Sequence, residues 1–300
     1  MKVKSKIFYT YVTLVIAFTL LTLLPAPNRT TLFRYHLTPT GLRGIDVTII
    51  IAEAGIWFAA FYGYGKLFRY SRLIRSSKES HHIGRMARGL LLLALGLPIT
   101  AVISSVLSII AAHNPGFAVP TVIINNYISV VFPLLAMLWI SIGARGLGSL
   151  AKTRPSLGML NVVILISLIL GVVFCSLLVL DHKQLRTVYH MSPELAMLTL
   201  GISYIYTWVL GLYAASELHA YTKRLAGVVY RKGWNLMILG VLGFILLSIV
   251  LQYLSTLSTW VTSLTLIELL VLLYVLLLLF IAVFIVFALG ARQLIKIEEV

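Results

Sequence analysis

The chain has 300 residues, 60% of them hydrophobic and only 11% charged, with a net charge of +15 and a mean hydropathy of +1.01. So apolar a chain cannot hide its side chains in one water-soluble core, and its long uncharged runs match the thickness of a bilayer. A nucleic-acid partner is excluded by where the positive charge sits. Of the 24 Lys and Arg, 19 fall in alternate polar segments (1–6, 66–88, 145–154, 223–232 and 292–296) and 5 in the others (29–43 and 183–186). That is the asymmetry of cytoplasmic loops, not of a phosphate-binding surface. The expectation is a multi-pass protein of the cell (plasma or inner) membrane with both termini cytoplasmic, its inner charge reaching anionic lipid headgroups.

Residues 1–6, MKVKSK, precede an apolar run from Ile7 to Leu24. The run is longer than a secretory-signal core, and Val162–Leu180 repeats it far inside the chain; it is read as a first membrane span. The loop that follows ends in YHLTP (Tyr35–Pro39), and YHMSP recurs at Tyr189–Pro193. Thr38 and Ser192 suit N-caps, and Pro39 and Pro193 suit the first helical position. The motif is thus a helix starter. His36, His190, Asp181 and His182 lack metal-ligand spacing within either loop, so no metal and no other cofactor is expected.

A second span runs from about Gly44 to Tyr64, its helix continuing into the cytoplasm through Ile74, and 66–88 reads as a basic loop. A third covers Leu90–Ala112, kinked at Pro98, and a fourth Val122–Ile142, closing with GARGL (Gly143–Leu147). The second half repeats the plan with Val162–Leu180, Leu195–Ser216, Leu236–Leu254 and Leu269–Leu289, closing with GARQL (Gly290–Leu294). Cys175, alone of its kind, falls in an apolar run and reads as a small buried hydrophobe.

Trp57, Tyr62, Leu67 and Tyr70 recur 151 residues on as Trp208, Tyr213, Leu218 and Tyr221. Gly89 and Gly96 match Gly233 and Gly240 at an offset of 144, which makes the first cytoplasmic loop seven residues the longer. Rare residues returning in the same order at the same topological positions mark an internal repeat. The expected fold is all-α: eight transmembrane helices as a tandem duplication of a four-helix unit, residues 1–150 and 151–300. With an even number of spans in each unit, the pseudo-twofold axis lies along the membrane normal.

Positions four apart share a helix face. Tyr62, Lys66 and Tyr70 form one stripe and Tyr213, Glu217 and Tyr221 the matching one. Lys66 and Glu217, opposite in charge, are candidates to pair across the axis. Glu53 lies seven residues into the second span after Asp46, about 10 Å deeper on the same face. No Lys or Arg shares its depth, so it either carries its proton or faces water or a ligand. Asn125 and Asn126 enter the fourth span at a comparable level. Asp46, Glu53, Asn125 and Asn126 could therefore line a polar pocket for a cation or amine.

No GxSxG, HExxH, Walker loop or dinucleotide fingerprint occurs, so an enzyme is not expected. The leading expectation is transport or permeation of a small solute or cation between the two repeats. The alternative is a receptor or scaffold binding a partner through the basic loop 66–88. A homo-oligomer is compatible with either.

Overall fold

The computed structural model describes residue 13 and residues 39–114, 118–150, 194–225, 228–257 and 266–298. These form α1 (Pro39–Leu73), α2 (Ser77–His113), α3 (Ala118–Leu150), α4 (Glu194–Thr222), α5 (Val228–Leu257) and α6 (Leu266–Glu298). The described residues are all helical or in the turns between helices, with no strand among them. α2, α3, α5 and α6 each carry a stretch long and apolar enough to cross a membrane, which makes this a multi-pass membrane protein. The predicted first and fifth spans, Ile7–Leu24 and Val162–Leu180, lie outside the described residues.

The helices run well past the apolar stretches. α3 has 33 residues, about 50 Å, against a hydrocarbon core of about 30 Å. Residues 66–88 are accordingly not a loop. α1 continues to Leu73, three residues turn the chain, and α2 starts at Ser77. Ser76 caps α2 by accepting the Glu79 backbone N–H at 3.4 Å, and Arg72 in the last turn of α1 suits the negative end of that helix. Lys, Arg and Glu are also good helix formers, so charge alone does not end a helix.

The main packing partners form a closed ring: each helix packs on the next, and α6 returns to pack on α1. Within each half the neighbours are antiparallel. Gly89 of α2 lies against Ile140 of α3, and Gly143 of α3 against Met86 of α2. Across the halves they are parallel. Ser129 meets Tyr204 at the α3–α4 seam and Gly211 meets Met137 further along. On the α6–α1 seam Gly55 meets Ile281 and Gly63 meets Phe287.

Burial recurs along the chain at constant offsets. The buried residues Ile83, Met86, Ala87, Leu90, Leu93 and Ala94 of α2 are followed 151 residues later by buried Trp234, Met237, Ile238, Val241, Phe244 and Ile245 of α5. Trp57, Leu67 and Tyr70 of α1 answer to Trp208, Leu218 and Tyr221 of α4 at the same offset. Met137, Ile140, Ala144 and Leu147 of α3 answer to Phe284, Phe287, Ala291 and Leu294 of α6 at an offset of 147.

This register corrects the glycine alignment. Gly143 packs on Met86 as Gly290 packs on Met237, and Gly89 faces Ile140 as Gly240 faces Phe287. The counterpart of Gly89 is thus Gly240 rather than Gly233, and the first inter-helix turn is no longer than the second: it spans residues 74–76 against 223–227. The error has a geometric origin. Each half carries glycines seven residues apart, close to two helical turns, so sliding one half by that distance keeps the same face.

Candidate functional site

Glu53 stands on the core face of α1, one and two turns before the buried Ile56, Trp57 and Ala60. Its Oε2 is buried and has no hydrogen-bond partner among the described residues. The matching residue on α4 is Tyr204, which is provided for. Its hydroxyl lies 3.4 Å from Ser129 Oγ and its ring stacks on Trp208, whose Nε1 donates to Ser248 Oγ at 3.5 Å. Gln252 also bonds Tyr204. The residues at the corresponding offsets from Ser129 and Gln252 are Leu276 of α6 and Ala101 of α2, neither of which can hydrogen-bond through its side chain.

Asp46 is on α1 and Asn125 and Asn126 are on α3, but their side chains lie outside those described. α1 and α3 are not neighbours in the ring. Glu53 and the two asparagines could therefore meet only across its interior.

Lys66 and Glu217 each find a partner one turn earlier on their own helix. Lys66 Nζ lies over the Tyr62 ring, 5.0 Å from its centroid, while the Tyr213 hydroxyl donates to Glu217 Oε1 at 2.7 Å. Glu217 is buried, whereas Tyr62 is half-exposed. Arg145 of α3 is close enough to act electrostatically on Tyr213. The i, i+4 spacing was right about the shared face, and it joins residues within each stripe.

Sequence reasoning missed a third group, at the end of the ring where the basic residues gather. Tyr70 of α1 and Tyr221 of α4 both set their rings edge-on to Trp234 of α5, at 6.3 Å and 5.2 Å. Trp234 is fully buried and its Nε1 has no partner among the described residues. The Tyr221 hydroxyl donates to Glu79 of α2 at 3.5 Å, and the Tyr230 hydroxyl to Glu298 of α6 at 3.0 Å. The Tyr70–Trp234 and Tyr221–Glu79 contacts join helices that are not neighbours in the ring, while Tyr221–Trp234 and Tyr230–Glu298 join neighbours. A cavity of about 300 Å³ opens beside them, lined by Glu79, Leu150, Tyr221, Arg224 and Leu225.

Burial and the neighbouring carboxylates Glu79 and Glu298 hold the Tyr70 and Tyr221 hydroxyls well above the ordinary tyrosine pKa, so both stay neutral donors. A carboxylate, a phenol and an arginine around one cavity can hold a small polar or charged group. One signal was in the sequence: Ser76 and Glu79 have capping-box spacing, which put Glu79 inside a helix rather than in a loop.

No protein-family model, no curated protein and no solved structure matches the chain.

Proposed function

We propose that the chain is a tandem duplication whose halves enclose a path for a small solute or cation, with Glu53 as the intramembrane acid and the Tyr70–Trp234–Tyr221 stack as the closure at one end. The observation that carries this reading is the buried carboxylate oxygen of Glu53, which has no hydrogen-bond partner among the described residues, whereas the Tyr204 hydroxyl lies 3.4 Å from Ser129 Oγ. Acids inside a bilayer are costly and mark ion or substrate pathways. Parallel repeats related by an axis along the membrane normal, with a site at their interface, are an established transporter plan.

The duplication is supported by the recurrence of burial at offsets of 151 and 147 and by the repeated Gly–Met contacts. Eight spans are supported by direction. α3 ends at the basic end and α4, parallel to it, begins at the other, so the chain between them has to return across the bundle. The predicted span Val162–Leu180 would make that return, and Ile7–Leu24 is its counterpart. The charge asymmetry puts the basic end in the cytoplasm.

The test uses the single native cysteine. In a Cys175→Ser background, Glu53→Cys is exposed to a membrane-impermeant thiol reagent from each side. Labelling from both faces supports a permeation path. Labelling from one face only favours a receptor, and no labelling removes Glu53 from any path. A second reading, a scaffold that docks a partner on 66–88, draws support from the exposed Arg72, Arg75 and Lys78 at the turn between α1 and α2. Loss of function on neutralising those three, with Glu53→Gln harmless, would favour it.

A further inference from the structure

Arg88 is the residue the fold least explains. It sits on α2, exposed, with its guanidinium over the Trp139 ring of α3 at 5.6 Å. No carboxylate pairs with it among the described residues. The chain carries its own control for this position. The matching residue on α5 is Leu239, 57% exposed, and Trp139 is matched on α6 by Val286. One turn back, Arg85 is matched by Leu236. The architecture is therefore satisfied by leucines facing lipid here, and the arginines answer to something else.

Depth narrows what that is. The last charge before the apolar stretch of α5 is Lys232, which matches His81. Arg88 carries positive charge seven residues further along its helix, about 10 Å deeper into the apolar zone. Beside it on α3, Leu135 and Leu138 are about 40% and 39% exposed, as lipid-facing side chains are. Nearer the helix start, Lys78 and His81 are exposed on the same face as Arg85 and Arg88. The face thus grades from apolar, through a guanidinium stacked on an indole, to a solvated cationic rim.

A guanidinium at that level has to be met by water or by an anion, and its planar fork suits a phosphate. The indole attracts the guanidinium above it while the stem stays in the apolar zone. We infer that the α2–α3 face of the first half is a binding site for an anionic phospholipid, its phosphate on Arg88 and Arg85 and an acyl chain along Leu135 and Leu138, and that the α5–α6 face has no such site. The source of the phosphate is a lipid because the apolar strip continues from the guanidinium on the bilayer side.

The full chain, purified in neutral detergent, is titrated with phosphatidylglycerol and with phosphatidylcholine, and retained lipid is counted by native mass spectrometry. The wild type keeps phosphatidylglycerol in preference. Arg88→Leu, which writes the second half's residue into the first and so folds normally, lowers that preference about fivefold. Leu239→Arg, lacking an indole beside it, gains less than Arg88→Leu loses. An unchanged preference in Arg88→Leu, or equal retention of both lipids by the wild type, overturns the site. The readout is lipid retention, so it stands or falls apart from the transport reading.

Discussion

Glu53 of α1 and Tyr204 of α4 lie 151 residues apart, and among the described residues Glu53 Oε2 has no hydrogen-bond partner while the Tyr204 hydroxyl lies 3.4 Å from Ser129 Oγ. An unpaired buried oxygen costs about 1–3 kcal/mol. Glu53→Leu should therefore raise thermal stability in detergent by about that amount, while abolishing solute flux in proteoliposomes. Tyr204→Phe, which removes a hydroxyl that is bonded, should lower stability by about 1 kcal/mol. A destabilised Glu53→Leu protein would mean that the carboxylate is held by a partner.

The basic-end stack ties together helices across the ring, so its loss should be expensive. Trp234→Ala removes a fully buried indole and is expected to cost about 3–5 kcal/mol. Tyr221→Phe keeps the ring against Trp234 and loses only a 3.5 Å hydrogen bond, for about 0.5–1.5 kcal/mol. Denaturant titration of the two variants separates packing from hydrogen bonding. Near-equal losses would show that the ring contacts matter little.

Alkaline pH offers a signed test. Folding raises the pKa of Tyr70 and Tyr221 above the ordinary 10.0, so the protonated phenols favour the folded state. Their contribution is complete below pH 10 and is lost as pH climbs through the folded values. The unfolding temperature, as far as these two groups set it, should hold steady to about pH 10 and then drop. The phenolate absorbance of Tyr70 and Tyr221 should appear only together with unfolding, and its absence in the double Phe variant assigns it. Ionisation of either residue near pH 10 in the folded protein would contradict their burial.

Glycines divide sharply by surroundings. A Cβ at Gly143 would come within 2.6 Å of the His82 carbonyl oxygen, and one at Gly290 within 2.6 Å of the Gly233 carbonyl oxygen, both backbone atoms that cannot step aside. Gly143→Ala and Gly290→Ala should each cost about 1–3 kcal/mol. At Gly65 and Gly84 nothing lies within 4 Å of the added carbon. Alanine there should stabilise α1 and α2 by about 0.5–1 kcal/mol. Melting curves of the four variants would check both the contacts and the equivalence of the two seams.

Much of this was readable in the residues before any coordinates. Trp57, Leu67 and Tyr70 share with Trp208, Leu218 and Tyr221 an offset of 151 at which all six side chains are buried, whereas Tyr62 and Tyr213 at the same offset are not. The match of α2 with α5 went astray because glycine spacing repeats every two turns and cannot tell one register from the next. Inside lipid a helix can be apolar all round, so hydrophobic periodicity said little about which face packs inward. The Tyr221–Glu79 contact lay beyond reach for another reason: it joins residues 142 positions apart on helices that only ring closure brings together.

That closure bears on how the protein is made. The wall that seals α1, with Gly55 against Ile281 and Gly63 against Phe287, belongs to α6, which leaves the ribosome after α1–α5. Throughout synthesis the earlier helices sit in the membrane with a groove open to lipid and to chaperones. A premature stop just before Leu266 would remove α6 with all that follows it, leave that groove permanently unsealed and expose the product to degradation. A stop codon just before α6 should therefore be as damaging as one within α1.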